Sequence, residues 1–157
     1  MPEQSAFYYS PIGTIEIIGE ESGITALHFS RRRPGRGARP HAFLREAVAQ
    51  IDEYFRGRRK EFSLTLHLQG TEFQKKVWRE LLKIPCGRTA SYGEVAAALG
   101  SPRSARAIGQ ANHRNPISIV IPCHRIIGGD GRLVGYGGGL WRKEWLLAHE
   151  KRAFSKP

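Results

Sequence analysis

Apolar positions in this chain recur with two different periods, and the change of period divides it. Phe7-Tyr8-Tyr9, Thr14 to Ile18 and Ile24 to Phe29 are short runs rich in aromatic and β-branched residues. Gly13, Gly19 and Gly23 punctuate them, so residues 7–30 are predicted to form a β-hairpin region. Leu44, Val48, Ile51 and Phe55 then repeat at helical spacing, which predicts an amphipathic helix from His41 to Phe55 with Gly57 just beyond its end. Phe62, Leu64, Leu66 and Leu68 alternate with polar residues, the pattern of a strand over Glu61–Leu68. The first part therefore reads as a small sheet-plus-helix module.

Beyond Gln69-Gly70 the period becomes helical. Thr71 with Gln74 forms a capping box ahead of Phe73, Val77, Trp78, Leu81 and Leu82, and Pro85-Cys86-Gly87 stops that helix. Ser91 with Glu94 opens a second helix, Tyr92–Leu99, which Gly100 ends. Ser101 then caps a third helix with Pro102 at its first position, running from Arg103 to His113. Two short helices joined by a tight Gly-Ser turn form a helix-turn-helix pattern. A further apolar helix is expected around Trp145–Ala148. The fold class is α+β: a small N-terminal α+β domain, residues 1–69, precedes a mostly helical, winged helix-turn-helix-like domain, residues 70–157.

Charge adds a partner to this picture. The net charge is +11, and it is unevenly placed. Residues 1–69 hold ten Lys/Arg against eight Asp/Glu, whereas residues 70–157 hold fifteen against six. Such an excess suits a polyanion, most simply nucleic acid, with a merely solubilising surface as the alternative. Residues 31–40 form an arginine-rich loop that either touches phosphates or is simply solvated. The predicted third helix presents small residues, Ala105, Gly109 and Ala111, among Arg103, Arg106, Gln110 and His113. That face fits close, sequence-tolerant contact with a DNA backbone or minor groove; packing on the protein's own core would use the same residues. No stretch approaches the roughly 18 apolar residues of a membrane span, and Met1-Pro2-Glu3-Gln4 lacks signal-peptide character. Two cysteines are too few for a disulfide framework or a zinc finger, so a reduced, cytoplasmic setting is expected.

The chemistry gathers in Ile119-Val120-Ile121-Pro122-Cys123-His124-Arg125. The three β-branched residues favour a buried, extended segment, and Pro122 ends it. A thiol then stands beside an imidazole. Free cysteine has a pKa of about 8.5, and a neighbouring imidazole or helix N-terminus can lower it to make an attacking sulfur. The dipeptide alone leaves Cys123 open between nucleophile and small buried hydrophobe.

Several spaced motifs in one order close that gap. Residues 71–150 resemble the O6-alkylguanine-DNA alkyltransferases, the methylated-DNA–protein-cysteine methyltransferases. The likeness rests on Ile121-Pro122-Cys123-His124-Arg125, Ser91-Tyr92-Gly93-Glu94, Ala105-Arg106-Ala107-Ile108-Gly109, Asn115-Pro116, Gly135-Tyr136 with Gly138-Gly139-Leu140, and Lys143-Glu144-Trp145-Leu146-Leu147. The N-terminal part is similar in layout only.

The resemblance implies stoichiometric, single-turnover repair of DNA. Cys123 would take a methyl or larger alkyl group from O6-alkylguanine, or from O4-alkylthymine, in double-stranded DNA. His124 would act through a water as base, with Glu150 orienting the imidazole. Tyr92 would donate to guanine N3, and Asn115 would tie the recognition helix to the active segment. Arg106 would fill the gap left by a flipped base. Arg103, Ala105, Gly109, Arg114 and Arg125 join it on the DNA-binding side, while Tyr136, Gly137 and Gly138 line the base pocket. Read alone, Glu150 is a solvated glutamate, Arg106 a surface arginine and Tyr92 a packed aromatic. A monomer without cofactor is expected, and residues 1–69 hold no cysteine for a structural zinc site. Cys86 reads as a packing residue. The rival readings are a lesion-binding relative that transfers nothing, a winged-helix DNA-binding protein, and a Cys-His hydrolase.

Overall fold

The computed structural model describes residues 3–34 and 39–154; part of the arginine-rich loop, residues 35–38, lies outside the described residues. The chain divides into two units, Met1–Leu68 and Gln69–Pro157.

The first unit is built on an antiparallel meander of three strands, β1 (Gln4–Ser10), β2 (Gly13–Glu20) and β3 (Gly23–Phe29), rather than a single hairpin. Registers Tyr8↔Ile15 and Ile17↔Leu27 point alternate side chains at helix α1 (Ala42–Phe55). Ile15, Ile17, Leu27, Leu44, Ile51 and Tyr54 are almost completely buried between them. The strand expected over Glu61–Leu68 reduces to one parallel bridge, Ile24↔Leu66, made by Ile24 N–H to Thr65 O at 2.9 Å and His67 N–H to Ile24 O at 2.8 Å. Phe62 leaves the sheet to pack on the Tyr54 ring, at 5.6 Å between centroids. Apolar alternation was satisfied by ring packing without a ladder.

The second unit starts at a close approach. A side chain at Gly70 would come within 2.6 Å of the Trp78 ring, so only glycine fits there. Helix α2 (Glu72–Leu81) follows, with the Thr71/Gln74 capping box complete in both directions. Its Trp78 is buried, and its indole N–H donates to Ala111 O at 2.9 Å. Helix α3 (Tyr92–Ala98) opens with the equivalent Ser91/Glu94 box. Helix α4 (Ala105–His113) begins later than its sequence suggests. Ser104 N–H donates to Ser101 O at 2.9 Å, so Ser101–Ser104 is a turn, and the Ser101 and Ser104 hydroxyls bond each other instead of capping backbone amides. Two two-residue strands, β4 (Ala90–Ser91) and β5 (Ile126–Ile127), pair in parallel and bring the segment after residue 123 to the start of α3. Helix α5 (Leu140–Phe154) closes the unit and is much longer than its apolar stretch. This is the expected α+β class.

Candidate active site and nucleic-acid interface

The run Ile119-Val120-Ile121 is buried, as its composition predicts, but it is not an extended strand. Ile119 has φ of 72°, a left-handed conformation that a β-branched residue adopts only when its surroundings impose it. Local bonds supply that imposition: Ile121 N–H donates to Ile117 O at 3.0 Å, and Val120 N–H to Ser118 O at 2.8 Å. Asn115 holds the turn from both sides. Its amide donates to Ile121 O at 2.7 Å, and its carbonyl accepts Ile117 N–H at 2.9 Å. Asn115 thus ties the chain after α4 to Ile121, two residues before Cys123. The chain next forms a single 3-10 turn, Cys123–Arg125, with all three side chains buried.

His124 and Glu150 meet across 26 residues of sequence, with Nε2 to Oε2 at 2.6 Å and both side chains inaccessible. A carboxylate accepts, so the imidazole carries its proton on Nε2. That leaves Nδ1, which is buried without a protein hydrogen-bond partner, as the basic nitrogen. Arg125 corrects one expectation. It is buried rather than on the exposed surface: it is 6% exposed, its Nε and Nη2 donate to Glu150 at 2.8 and 3.1 Å, and its Nη1 donates to Ile84 O at 2.7 Å. A buried carboxylate needs a counter-charge, and this arginine supplies it.

Electrostatics follow from burial. Desolvation pushes the Cys123 thiol up to about 11, opposed by the Asn115 amide, the charge of Lys143 and the backbone amides of Cys123 and His124. The adjacent imidazole therefore does not by itself ionise the sulfur, because burying a negative charge outweighs these donors. Burial also lowers the pKa of His124, with Arg125 and Lys143 acting in the same direction and Glu150 against it. The Glu150 carboxyl is held well below the usual range: burial alone would raise it, and His124 and Arg125 together overcome that. Lys143 is completely buried, donates to Val134 O at 2.6 Å and Gly135 O at 3.3 Å, and is lowered to about 8 by desolvation. Tyr136 raises the same wall, its ring edge-on to His124 at 6.5 Å between centroids, with burial and the Cys123 charge pushing its hydroxyl up. Tyr92 also lies within electrostatic reach of Cys123 and beside the Asn112 amide.

The DNA-side expectations separate by exposure. Arg103, Ala105, Arg106 and Arg114 are exposed, and Arg106, Gly109, Gln110, His113 and Arg114 line one open cleft along α4. Gly109 also lets α4 approach the Tyr92 ring, with 3.6 Å to the position a Cβ would take. Gly137 is exposed and a Cβ there would meet nothing within 4 Å, while Gly138 O accepts from Arg142 at 3.0 Å.

Residues 72–152 match the DNA-binding domain of 6-O-methylguanine DNA methyltransferase, and residues 5–68 match its ribonuclease-like domain. The chain belongs to the 6-O-methylguanine DNA methyltransferase family. A methylated-DNA–protein-cysteine methyltransferase of Mycolicibacterium paratuberculosis is 49% identical over 91% of this chain and 89% of its own length. The crystal structure of the Mycobacterium tuberculosis O6-methylguanine methyltransferase superposes with a TM-score of 0.88 at 44% identity, covering 99% of this chain and 97% of that one. The Mycobacterium tuberculosis OGT in complex with DNA superposes with a TM-score of 0.85 at 45% identity, covering 94% of this chain and 92% of that one.

In this methyltransferase, sequence reasoning missed three contributors to the site. Lys143 stood only as one letter of a motif, although a lysine in the apolar stripe of a helix is itself a signal of a buried charge. Asn112 sits one helical turn before Asn115, and its amide reaches Cys123 O at 3.5 Å. Cys86 lies against Glu150 and Arg125, and burial pushes its thiol up to about 12. Among the described residues, no group of three His, Cys, Asp or Glu is placed to hold a metal ion.

Proposed function

We propose that this methyltransferase repairs double-stranded DNA by moving a methyl or larger alkyl group from guanine O6 to Sγ of Cys123, once per molecule. The carbon–oxygen bond breaks as the sulfur–carbon bond forms. The thiol proton passes through an intervening water to His124 Nδ1, and the departing guanine takes a hydrogen bond at N3 from the Tyr92 hydroxyl. The observation that carries this reading is the buried His124–Glu150 pair at 2.6 Å, one residue from a buried thiol, in the unit that bears the exposed arginines of α4.

Each part of the chain then has a task. Arg106 enters the base stack where the lesion leaves it, with Arg103, Ala105, Gly109 and Arg114 against the backbone. Extrusion costs a few kcal/mol for a paired base and less for a damaged one, which favours lesions. Tyr136, Gly137 and Gly138 face the extruded base. O4-alkylthymine presents a similar ring-bound alkyl oxygen and is a second substrate. A thioether has no good leaving group at neutral pH, so the protein is consumed. Free thiols at Cys86 and Cys123 suit a reducing cytoplasm, and the protein acts there as a monomer.

The test is duplex DNA carrying O6-methylguanine with an isotopic label in the methyl group. One label per molecule on the Cys123 peptide is the expected result. Cys123→Ala should lose transfer and keep DNA binding, with an affinity that falls as salt rises. Binding without label would instead identify a lesion-binding or winged-helix protein.

A further inference from the structure

Arg125 is the residue whose surroundings the alkyl-transfer scheme leaves unexplained. Its guanidinium is buried in the single turn that carries the nucleophile, and its Nε, Nη1 and Nη2 donate to Glu150 and Ile84. Two of its donors grip Glu150 in the fork-to-carboxylate geometry that only arginine makes. The third grips Ile84 O, in the segment after α2. From that segment Gly87 N–H also approaches Glu150 Oε1, at 3.5 Å, and Cys86 lies on the same carboxylate. Oε2 thus receives both Arg125 Nη2 at 3.1 Å and His124 Nε2 at 2.6 Å. The carboxylate has one plane that serves both, so the arginine sets the direction from which Glu150 meets the imidazole.

A carboxylate facing an imidazole in a dry interior favours the doubly protonated ring, because the positive charge is stabilised. In that state Nδ1 already holds a proton and cannot take one from the thiol. The groups facing His124 are Glu150 and Lys143 from α5, Arg125 and Cys123 from its own turn, and Tyr136 from the glycine-rich loop. Only Glu150 favours the imidazolium; the two cations oppose it. Lys143 has its own carbonyl partners, which leaves Arg125 as the cation bound directly to the carboxylate.

We propose that Arg125 is a positioning residue for alkyl transfer: by neutralising and orienting Glu150 it keeps His124 a neutral base with Nδ1 free. It makes no phosphate contact. The inference rests on the triad reading above and adds a fourth, non-reacting member to it.

The experiment compares single-turnover rates of the wild type, Arg125→Gln and Arg125→Lys between pH 5.5 and 9, on free O6-benzylguanine and on duplex DNA bearing O6-methylguanine. Arg125→Gln should lose tenfold or more at pH 7 on both substrates alike. Its pH midpoint should move upward by about one unit, the rate should recover in part at pH 9, and its DNA dissociation constant and salt dependence should not change. Arg125→Lys keeps the charge without the fork and should fall between the two, with a smaller shift of midpoint. In a Glu150→Gln background, Arg125→Lys should move the midpoint no further. A loss confined to the DNA substrate with weaker, less salt-sensitive binding would make Arg125 a phosphate contact and overturn the proposal. An equal loss on both substrates with an unmoved midpoint would also overturn it, leaving a structural salt bridge. Should Arg125→Gln fail to fold, the Arg125→Lys profile alone decides between these outcomes. Absence of transfer by the wild type would strike the triad reading instead, so the two failures are separate.

Discussion

Asn115 is bonded to Ile121 O at 2.7 Å, two residues before the thiol, and to Ile117 N–H at 2.9 Å, so one side chain clamps both ends of the turn that contains Ile119 in its left-handed conformation. The clamp joins the end of α4 to the active segment. Replacing it leaves the Ile117 N–H without its partner and Ile121 O with only the Cys123 N–H, next to buried isoleucines. Unsatisfied buried groups cost about 1–3 kcal/mol each. Asn115→Ala should therefore lower the urea midpoint by an amount in that range and cut the alkyl-transfer rate at least tenfold. Unchanged stability with unchanged rate would show that the turn holds itself.

Lys143 offers a prediction with a definite sign in pH. Its ammonium is buried, and its pKa is lowered to about 8 from an ordinary value of 10.5. Between those values the unfolded chain binds a proton that the folded protein does not, so folding gains stability as pH rises through that window. The cost of the buried charge is fully present below pH 8. Wild type should thus gain stability relative to Lys143→Met from pH 7.5 to 9, measured by urea denaturation of both proteins at each pH. The same variant removes a charge that favours the Cys123 thiolate and releases the Val134 and Gly135 carbonyls, so transfer should slow tenfold or more.

Gly137 tests the proposed base pocket. It is exposed, and a Cβ would meet nothing within 4 Å, so Gly137→Ser should fold with a stability change within about 0.5 kcal/mol, as at most surface sites. The added hydroxymethyl narrows the space beside Tyr136. The ratio of rates for benzyl over methyl adducts should fall several-fold, read by competition between the two duplexes. An unchanged ratio would show that Gly137 does not border the alkyl group.

Repair should weaken the protein that performs it. Cys123 is 5% exposed, and its chain neighbours Ile119, Ile121 and Ile126 are fully buried. Inserting a methylene-sized group into a packed interior costs typically about 1–3 kcal/mol. A melting curve of protein reacted to completion with O6-methylguanine DNA and stripped of DNA should lie several degrees below that of the unreacted form. An equal or higher melting temperature would contradict the packing seen here.

What was legible in the sequence follows from the range over which each signal acts. The Thr71/Gln74 and Ser91/Glu94 capping boxes are decided within three residues, and both form. The amphipathic helix over Ala42–Phe55 and the three short strands are decided by a period of a few residues, and they form as well. Pro102 misled the start of α4 because the two serines flanking it, Ser101 and Ser104, bond each other. The Glu61–Leu68 alternation misled because an aromatic ring can bury itself without a ladder.

The residue types, their order and the local caps were thus determined by the chain alone, and so was the pairing of a thiol with an imidazole at adjacent positions. Only tertiary packing decided that Glu150, 26 residues away, meets His124, that Arg125 turns inward to that carboxylate, and that Lys143 is buried within electrostatic reach of the thiol. The reason is physical. Hydrogen-bonded turns and helix caps are short-range and nearly independent of surroundings, whereas the charge state and direction of a side chain depend on how much water the rest of the fold removes from it.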